Sequence, residues 1–326
     1  MSHENLVQLQ NVTIDYQMKK FDIRAVTDCS LNIKRGKITA LIGESGSGKT
    51  TLASSINDCI SSPGKMVSGS VMLYDGENPI CIEKLSEKEK ETVRWSKISM
   101  VFQAAQSALN PTMTVWEHFY ETYHVHDKEA TKEEILMRSK ELLEYVKLDP
   151  ERVLTSYAHE LSGGMKQRVM IAFALLLNPV MMILDEPTTA LDVITQDYIF
   201  NILRDINQNR DVTMLLMTHD VNVVAKFSDY VAVMYAGRIM EYGPTREVFS
   251  APRHPYTQGL LAATPSLTCD LSKLKAIPGN PPDLRNLPTG CVFHDRCPYA
   301  QETCRLQEPE YTVAEDRAIR CFRAKE

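Results

Sequence analysis

The stretch that decides the fold is Gly43-Glu44-Ser45-Gly46-Ser47-Gly48-Lys49-Thr50, which fits the phosphate-loop pattern G-x-x-x-x-G-K-[ST] without a mismatch. An apolar run of strand length, Ile38–Ile42, precedes the stretch, and residues 51–60 can form a helix. Glycines let the backbone wrap closely around phosphate oxygens, and a helix start adds unpaired N–H donors and a partial positive charge. The stretch therefore predicts a binding site for a nucleoside triphosphate.

Two side chains of this loop have specific roles in that interpretation. Lys49 is placed to reach the β- and γ-phosphates, and Thr50 is placed to hold Mg²⁺. A second part of the site is predicted at Asp185-Glu186, a carboxylate pair that ends the apolar run 180–184. Asp185 suits the Mg²⁺ shell, and Glu186 would act as a base or position the attacking water. The alternative is that both carboxylates only cap the next turn.

The composition is that of an ordinary globular protein. The 326 residues could form one large domain or two, and 44% of them are apolar and 24% charged. A net charge of −6 disfavours a nucleic-acid surface. The longest apolar run, residues 169–177, is too short to span a membrane, and the first residues lack the pattern of an export signal. With eight cysteines and no such signal, we expect a reducing cytoplasm, and any membrane role must depend on a partner.

Strands and helices alternate along most of the chain. Strands are predicted at residues 6–14, 25–33, 38–42, 69–74, 98–102, 180–184 and 212–217, and a closing hairpin at residues 230–242. Capping boxes predict helix starts at Ser86 and Thr131, and a further helix is predicted at residues 192–208. The region from residue 104 to about 157 indicates a helical insertion with an internal apolar stripe. This order predicts a parallel α/β sheet with phosphate chemistry at the carboxyl ends of its strands.

A sharper signal is Leu161-Ser162-Gly163-Gly164-Met165, in which two glycines follow a serine and open a second anion-binding helix start. This stretch resembles the signature motif of ABC-type ATPases, although Met165 stands where glutamine is usual. The resemblance implies an α/β P-loop NTPase fold with a RecA-like parallel sheet core, an antiparallel β-subdomain and an inserted helical subdomain at about residues 104–178. It also implies that each ATP lies between the phosphate loop of one subunit and the signature helix of another.

Further positions match the same family in its order over about 230 residues. Tyr16 corresponds to the aromatic residue that stacks on adenine, Gln103 to the glutamine that contacts metal and water, and His219 to the histidine that contacts the γ-phosphate. Glu186 matches the catalytic glutamate, and Ala190-Leu191-Asp192 matches the D-loop, which crosses to the opposing site. The alternatives are that Tyr16 is only an aromatic residue at a strand end, Gln103 only a polar residue at a strand end, and His219 only a loop histidine.

ATP and Mg²⁺ are therefore the expected substrate and cofactor. The resemblance implies catalysis by Glu186, His219 and Gln103, and a Mg²⁺ ion held by Thr50, Gln103 and Asp185. The implied nucleotide contacts are Tyr16, Gly43, Ser45, Gly46, Ser47, Gly48, Lys49, Thr50, Thr51, Ser162, Gly163, Gly164 and Asp192.

The sequence beyond residue 250 is rich in proline and then in cysteine, and we place a boundary there between domains 1–250 and 251–326. Its segments 253–257, 278–282 and Gly290-Cys291 resemble the C-terminal extension of ATP-binding subunits of dipeptide and oligopeptide importers. The resemblance implies an ATPase that powers peptide uptake as a peripheral subunit on the cytoplasmic face of the cell membrane. The implied partners are two transmembrane permease subunits, a second ATPase that is a paralogue or another copy, and, indirectly, an extracytoplasmic peptide-binding protein. No nucleic acid is expected.

Three other functions are weighed against this one. The same motor role could serve nickel or an oligosaccharide, because subunits of this type resemble one another closely. A soluble, non-transport ABC ATPase acting on DNA or ribosomes is disfavoured, because the chain shows neither a second nucleotide module nor a long coiled-coil insertion. The third alternative is a regulatory protein whose tail senses iron or oxygen.

Four of the eight cysteines fall within the last 36 residues: Cys291, Cys297, Cys304 and Cys321, spaced C-x5-C-x6-C-x16-C. The spacing matches neither the close pairs of structural zinc sites nor the ferredoxin run, so a cluster, zinc with His294 as a possible ligand, and no metal all stay open. The resemblance implies a [4Fe–4S] cluster of structural role in a small cysteine-rich C-terminal domain. The other four, Cys29, Cys59, Cys81 and Cys269, are expected to be scattered small residues.

Overall fold

The computed structural model describes residues 4–103, 108–189, 191–264 and 276–325. The chain falls into two units, and unit 1 combines both ends of the sequence, Met1–Lys84 and Leu215–Glu326. Unit 2 is the middle of the chain, Leu85–Met214. Ala190, Cys269 and residues 104–107, all named in the sequence predictions, lie outside the described residues.

Twelve strands and eleven helices are found in the described residues. The strands are β1 (Asn5–Gln17), β2 (Asp22–Lys34), β3 (Ile38–Ile42), β4 (Gly64–Leu73), β5 (Ile80–Cys81), β6 (Ile98–Val101), β7 (Met181–Asp185), β8 (Thr213–Met217), β9 (Tyr230–Tyr235), β10 (Arg238–Pro244), β11 (Thr312–Ala314) and β12 (Arg317–Ile319). The helices are α1 (Lys49–Ser54), α2 (Glu87–Val93), α3 (Val115–His126), α4 (Lys132–Tyr145), α5 (Pro150–Thr155), α6 (Gly163–Ala174), α7 (Val193–Arg210), α8 (Val221–Phe227), α9 (Thr245–Ser250), α10 (Pro255–Ala262) and α11 (Glu302–Leu306). The chain passes from unit 2 into unit 1 within β8.

Unit 1 contains an antiparallel sheet with the strand order β2-β1-β4-β5. Its central strand, β1, buries Val7, Leu9, Val12 and Ile14. Leu9 pairs with a residue of β2 on one side and of β4 on the other, so the apolar side chains meet across three strands. The far end of β1 carries Tyr16, which is the predicted adenine-stacking residue.

A second sheet in unit 1 has the order β11-β12-β10-β9-β3. Its strand β3 is buried at all five positions and pairs in parallel with β9. The predicted hairpin is confirmed, because β9 and β10 pair around a turn at Ala236-Gly237 in which both residues have positive φ. Since β3 runs directly into Gly43, the sheet places the phosphate loop at the carboxyl end of a covered strand, as the sequence predicts.

The C-terminal segment of unit 1, which we define as residues 251–325, contributes apolar residues to the core around β3 and β9. Val292 and Phe293 are buried in one cluster with Ala40 and Ile42 of β3 and with residues of β9. The prediction of a separate cysteine-rich domain is therefore not supported, because the apolar residues beside the cysteines complete the core around β3 and β9. The boundary placed near residue 250 stays a prediction.

Unit 2 contains the parallel pair β6 and β7 and the predicted helical insertion. Helices α2 and α4 begin at Ser86 and Thr131, and each has the complete capping box that the sequence predicts. The apolar stripe of α4 is internal packing, since Ile135 and Leu142 are fully buried. Between α6 and α7, β7 ends in the buried Asp185, one residue before Glu186.

One helix is shorter than its pattern predicts. Helix α1 ends at Ser54, although apolar and small residues continue to residue 60. Turns follow that contain Asn57 and Asp58, and Asp58 has a positive φ. Short polar side chains compete for backbone hydrogen bonds in this way and so favour turns over helix. No helix in the described part of the chain has the length and apolar character of a membrane span.

Candidate nucleotide-binding site

The phosphate loop in unit 1 is hydrogen-bonded to the neighbouring β9–β10 turn. The Gly237 N–H at the β9–β10 turn donates a 2.9 Å hydrogen bond to the Ser47 carbonyl. Ser47 is buried, whereas Ser45, Gly46 and Thr50 are exposed. The loop is thus held from one side and presents its other residues to solvent, where a phosphate chain can reach them.

Lys49 lies across the loop. Its Nζ donates hydrogen bonds to the carbonyl oxygens of Gly43 at 2.8 Å and Glu44 at 3.0 Å, and it lies 3.5 Å from the Ser47 hydroxyl. The lysine is therefore drawn over the concave backbone where phosphates would bind. An ammonium group in this position adds a full charge to the partial charge of the helix start.

Tyr16 and His219 are two other predicted site residues of unit 1, and they lie close to α1 and β3. The Tyr16 hydroxyl is 3.4 Å from the Thr51 hydroxyl, which connects the end of β1 to the first turn of α1. His219 is exposed and follows β8, and the neighbouring Thr218 N–H donates to the Leu41 carbonyl of β3. Adenine contact by Tyr16 and γ-phosphate contact by His219 stay predictions.

In unit 2 the structure brings Gln103 and Glu186 into contact. The Gln103 Nε2 donates a 3.2 Å hydrogen bond to Glu186 Oε2. The pairing of β6 with β7 explains it, because Val101 lies opposite Leu184 and both functional residues stand two positions further on. Thr189 also donates to Glu186 Oε2, at 2.9 Å. Glu186 has a positive φ of 47°, a conformation that non-glycine residues adopt uncommonly and that often marks functional sites.

The signature stretch forms a helix start, as its glycines predict. Ser162 is the N-cap of α6, and its hydroxyl accepts a 3.3 Å hydrogen bond from the Met165 N–H. A Cβ on Gly164 would lie 2.8 Å from a methyl group of Thr195, so a larger residue there would require the Thr195 side chain at the start of α7 to shift. Ser162 is exposed at this helix start, and anion binding there stays a prediction.

Asp192 has a local partner in this structure. It caps α7, and its carboxylate accepts hydrogen bonds from the N–H and hydroxyl of Thr195 at 3.0 and 2.7 Å. These bonds lower the pKa of the carboxyl. Asp192 is therefore ionised at neutral pH, and its predicted role across a subunit interface stays a prediction.

The four tail cysteines line one cavity in unit 1. Cys291, Cys297, Cys304 and Cys321 all contribute to its wall, and no disulfide joins any described cysteines. Burial raises the pKa of the Cys291 thiol to about 12 and also raises those of Cys297 and Cys321. Within the described residues, no group of three or more His, Cys, Asp or Glu side chains is arranged to hold a metal ion. The structure therefore does not support the predicted [4Fe–4S] or zinc site.

Two residues next to the phosphate loop were not predicted. The Tyr256 hydroxyl accepts a hydrogen bond from the Glu44 N–H, and the Arg296 guanidinium pairs with the Glu44 carboxylate. Both residues lie more than 200 positions downstream of the loop, so no local pattern could have indicated them. The sequence signal for such a partner was Glu44, an acidic residue inside a loop that is predicted to bind an anion.

Comparison with known proteins agrees with this geometry. The ABC transporter family matches residues 26–189, and the family described as oligopeptide/dipeptide transporter, C-terminal region, matches residues 240–304. The dipeptide transport ATP-binding protein DppD of Caldanaerobacter subterraneus subsp. tengcongensis is 43% identical over 94% of this chain and 93% of its own length. The oligopeptide transport ATP-binding protein OppD of Salmonella typhimurium is 40% identical over 98% of this chain and 94% of its own.

A solved ATP-binding cassette, a dimer in a post-hydrolysis state bound to ADP and Pi, is also similar to the chain. It superimposes with a TM-score of 0.65 at 34% identity, over 74% of this chain and 99% of the cassette. The chain belongs to the ABC transporter family of ATPases, in the group of dipeptide and oligopeptide transport ATP-binding proteins. The family resemblance and the P-loop ATPase fold predicted from the sequence are confirmed.

Proposed function

We propose that the chain is the ATP-hydrolysing motor subunit of an importer that takes up dipeptides or oligopeptides. The observation that carries ATP hydrolysis is the contact between Gln103 and Glu186 at the ends of two parallel strands. Peptide cargo is supported by the C-terminal match at residues 240–304 and by the names of the relatives. The chain works at the cytoplasmic face of the membrane, bound to two permease subunits that receive peptide from an extracytoplasmic binding protein.

The chemistry of hydrolysis is assigned to the side chains that the family resemblance implies. Lys49 and His219 stabilise the charge that develops on the transferred phosphoryl group. Glu186 accepts a hydrogen bond from the attacking water, and Gln103 holds the Glu186 carboxylate in place for it. Thr50, Gln103 and Asp185 would hold Mg²⁺, which would supply positive charge to offset that of the phosphates.

A second ATPase subunit completes each nucleotide site. Ser162 and the N–H groups at the start of α6 contact the nucleotide that the partner subunit holds on its own phosphate loop. The exposed position of Ser162 at a helix start supports this arrangement. The partner is a related chain or another copy of this one.

The change Glu186→Gln tests the hydrolytic role. The amide keeps the shape of the side chain but cannot accept a proton from water, so we expect turnover to fall at least about a hundredfold. Binding of the fluorescent analogue mant-ATP should stay within about twofold of wild type, because Glu186 acts mainly in the transition state. The matched control is Glu133→Gln, which changes an exposed carboxylate of α4 and should leave both values unchanged. Undiminished hydrolysis by the Glu186 variant would overturn the assignment.

The same variant tests the cargo. Cells that produce Glu186→Gln as the single copy of this chain should fail to accumulate a radiolabelled dipeptide and a radiolabelled pentapeptide. Uptake of nickel and of maltotriose should stay as in wild-type cells. Loss of nickel or maltotriose uptake with normal peptide uptake would show that the motor serves a different cargo.

The cysteine cavity is proposed as the site of a [4Fe–4S] cluster. Its support is the donor set, four thiols on one cavity wall without a disulfide among the described residues. The cluster would hold the C-terminal turns together, and its thiols would have to converge and lose their protons on binding. Protein purified without oxygen should contain about four irons and four sulfides per chain and absorb broadly near 400 nm. Zinc, or no metal with intact ATPase activity, would contradict the cluster and leave the ATPase assignment in place.

A further inference from the structure

The C-terminal segment contacts one residue of the phosphate loop in two ways. Arg296 Nη1 donates to Glu44 Oε2 at 2.7 Å, and Nη2 donates to Oε1 at 3.0 Å. The Tyr256 hydroxyl accepts the Glu44 N–H at 3.0 Å. Both the side chain and the backbone of this loop residue are therefore fixed by the same distant part of the sequence.

A buried aromatic group supports these contacts. The rings of Tyr235 and Tyr256 have centroids 4.7 Å apart, and Phe293 lies 5.2 Å from the first and 5.3 Å from the second. Arg296 Nη1 also donates to the Tyr235 hydroxyl at 3.2 Å, and its Nε donates to the Pro278 carbonyl at 2.8 Å. The arginine is thus held from several sides, and its planar fork can face Glu44 in only one orientation.

The pair differs from an ordinary surface ion pair in its burial. The side chain of Arg296 is 7% exposed and that of Glu44 is 26% exposed. A two-pronged, charge-assisted contact in such surroundings is stronger than an exposed pair, and loss of one partner leaves the other charge poorly compensated. The hydrogen bond to Glu44 raises the pKa of Arg296, so the guanidinium is charged at every relevant pH.

The site needs this contact for an electrostatic reason. Glu44 places a negative charge inside a loop whose backbone must bind a polyanion, and like charges close together repel. The guanidinium neutralises that carboxylate and turns it toward the C-terminal segment. The loop can then offer its N–H groups to phosphate with little further rearrangement, which is the condition for tight binding.

We propose that Arg296 and Tyr256 are positioning residues of the phosphate loop, through which the C-terminal segment sets the affinity for ATP. Arg296 neutralises and orients Glu44, and Tyr256 fixes the Glu44 N–H. The proposal rests on the function proposed above, in which this loop binds ATP. It makes the C-terminal segment part of the nucleotide site as well as part of the core.

The test compares Arg296→Met, Glu44→Gln and the double variant by equilibrium titration with mant-ATP. Arg296→Met leaves the Glu44 charge unpaired beside the phosphates, so we expect binding about tenfold weaker than wild type. Glu44→Gln removes that charge together with the ion pair, so it should weaken mant-ATP binding less than Arg296→Met does. The double variant should therefore bind mant-ATP more tightly than Arg296→Met alone, a recovery that loss of structure would not produce.

Kinetics and salt give a second measurement. Arg296→Met should raise the KM for ATP with little change in kcat, and its defect should shrink at high salt because repulsion between charges is screened. Arg296→Lys keeps the charge without the fork and should recover part of the affinity. Tyr256→Phe keeps the ring and loses the hydroxyl, so it should raise KM by a smaller factor.

The matched control is Glu308→Gln. Glu308, whose side chain is 34% exposed, pairs with Arg238 and Arg320 in the same unit, and the contacts described for it do not include the phosphate loop. Its variant should bind mant-ATP as wild type does. If wild type binds mant-ATP and all the Arg296 and Glu44 variants match it, the positioning role is wrong while the ATPase assignment stands. If wild type itself does not bind, the proposed function fails first. If Arg296→Met does not fold, Glu44→Gln and Arg296→Lys decide.

Discussion

The phosphate loop needs glycine at both Gly43 and Gly48. Gly43 has a φ of 152°, and a Cβ there would lie 2.0 Å from the Met234 carbonyl oxygen of β9. Gly48 has a φ of 98°, and its Cβ would lie 2.5 Å from the Ala25 carbonyl oxygen. Both conformation and space exclude a side chain at Gly48. The glycines of the motif are therefore required by the close packing of β9 and β2 against the loop, as well as by phosphate binding.

Residues that act through a local pattern were predictable from the sequence. Lys49, Glu186 and Ser162 each stand at a fixed offset from glycines or from the end of an apolar strand, and the structure puts them at a helix start or a strand end. Arg296 and Tyr256 could not be predicted in this way. Their contact with Glu44 depends on how a distant segment folds back, and neither residue type nor spacing near residues 256 and 296 indicates that path.

At the scale of helices, capping boxes were the most reliable signals for a start. Those at Ser86 and Thr131 were predicted and are present. A third box at Thr114 begins α3 with the same spacing, Thr114 to Glu117, and could have been found by the same rule. Helix ends were harder to predict, as α1 shows, because no single residue type marks the point at which polar turns outcompete helix.

The box at Thr131 allows a stability prediction. Its hydroxyl accepts the Glu134 N–H at 3.3 Å, while Glu134 accepts from the Thr131 N–H at 2.8 Å. Thr131→Ala removes one half of this exchange, so we expect α4 to lose about 1 kcal/mol of stability. A loss of about 1 kcal/mol corresponds to amide hydrogen exchange that is about fivefold faster in the first turn of α4. Thr131→Ser keeps the hydroxyl and should exchange at nearly the wild-type rate; equal rates in both variants would mean that packing alone fixes the helix start.

At the scale of the whole molecule, the C-terminal segment is a structural part of unit 1. Strand β12 pairs with β10, and the Arg320 N–H donates to the Met240 carbonyl at 2.9 Å. The carboxylate of Glu241, which is 1% exposed, accepts hydrogen bonds from the N–H groups of Arg253 and His254 and from the Arg317 guanidinium. The proline- and cysteine-rich composition of this segment carries no information about which core its few apolar residues join, so this packing could not be predicted from composition.

A chain that ends at Ser250 should therefore not fold into a stable structure. It would lose Tyr256 and Phe293 from the core, and losses of that size cost about 3–5 kcal/mol per aromatic side chain. It would also remove the three donors that compensate the Glu241 carboxylate, which adds a further penalty of about 3 kcal/mol. The sum approaches or exceeds the total stability of a typical domain, about 5–15 kcal/mol. We expect the shortened chain to be insoluble or to lack a cooperative thermal transition and mant-ATP binding.

The control for this truncation is a chain that ends at Arg323, which keeps the pairing of β12 with β10 and all four tail cysteines. It should melt and bind mant-ATP as the full chain does. If the chain ending at Ser250 instead melts at the same temperature and binds mant-ATP equally well, the C-terminal segment is an appendage, and both its place in the core and its hold on the phosphate loop are wrong. If that chain melts normally but binds mant-ATP about tenfold more weakly, the segment positions the loop without stabilising the unit, and its contacts with Glu44 account for its effect.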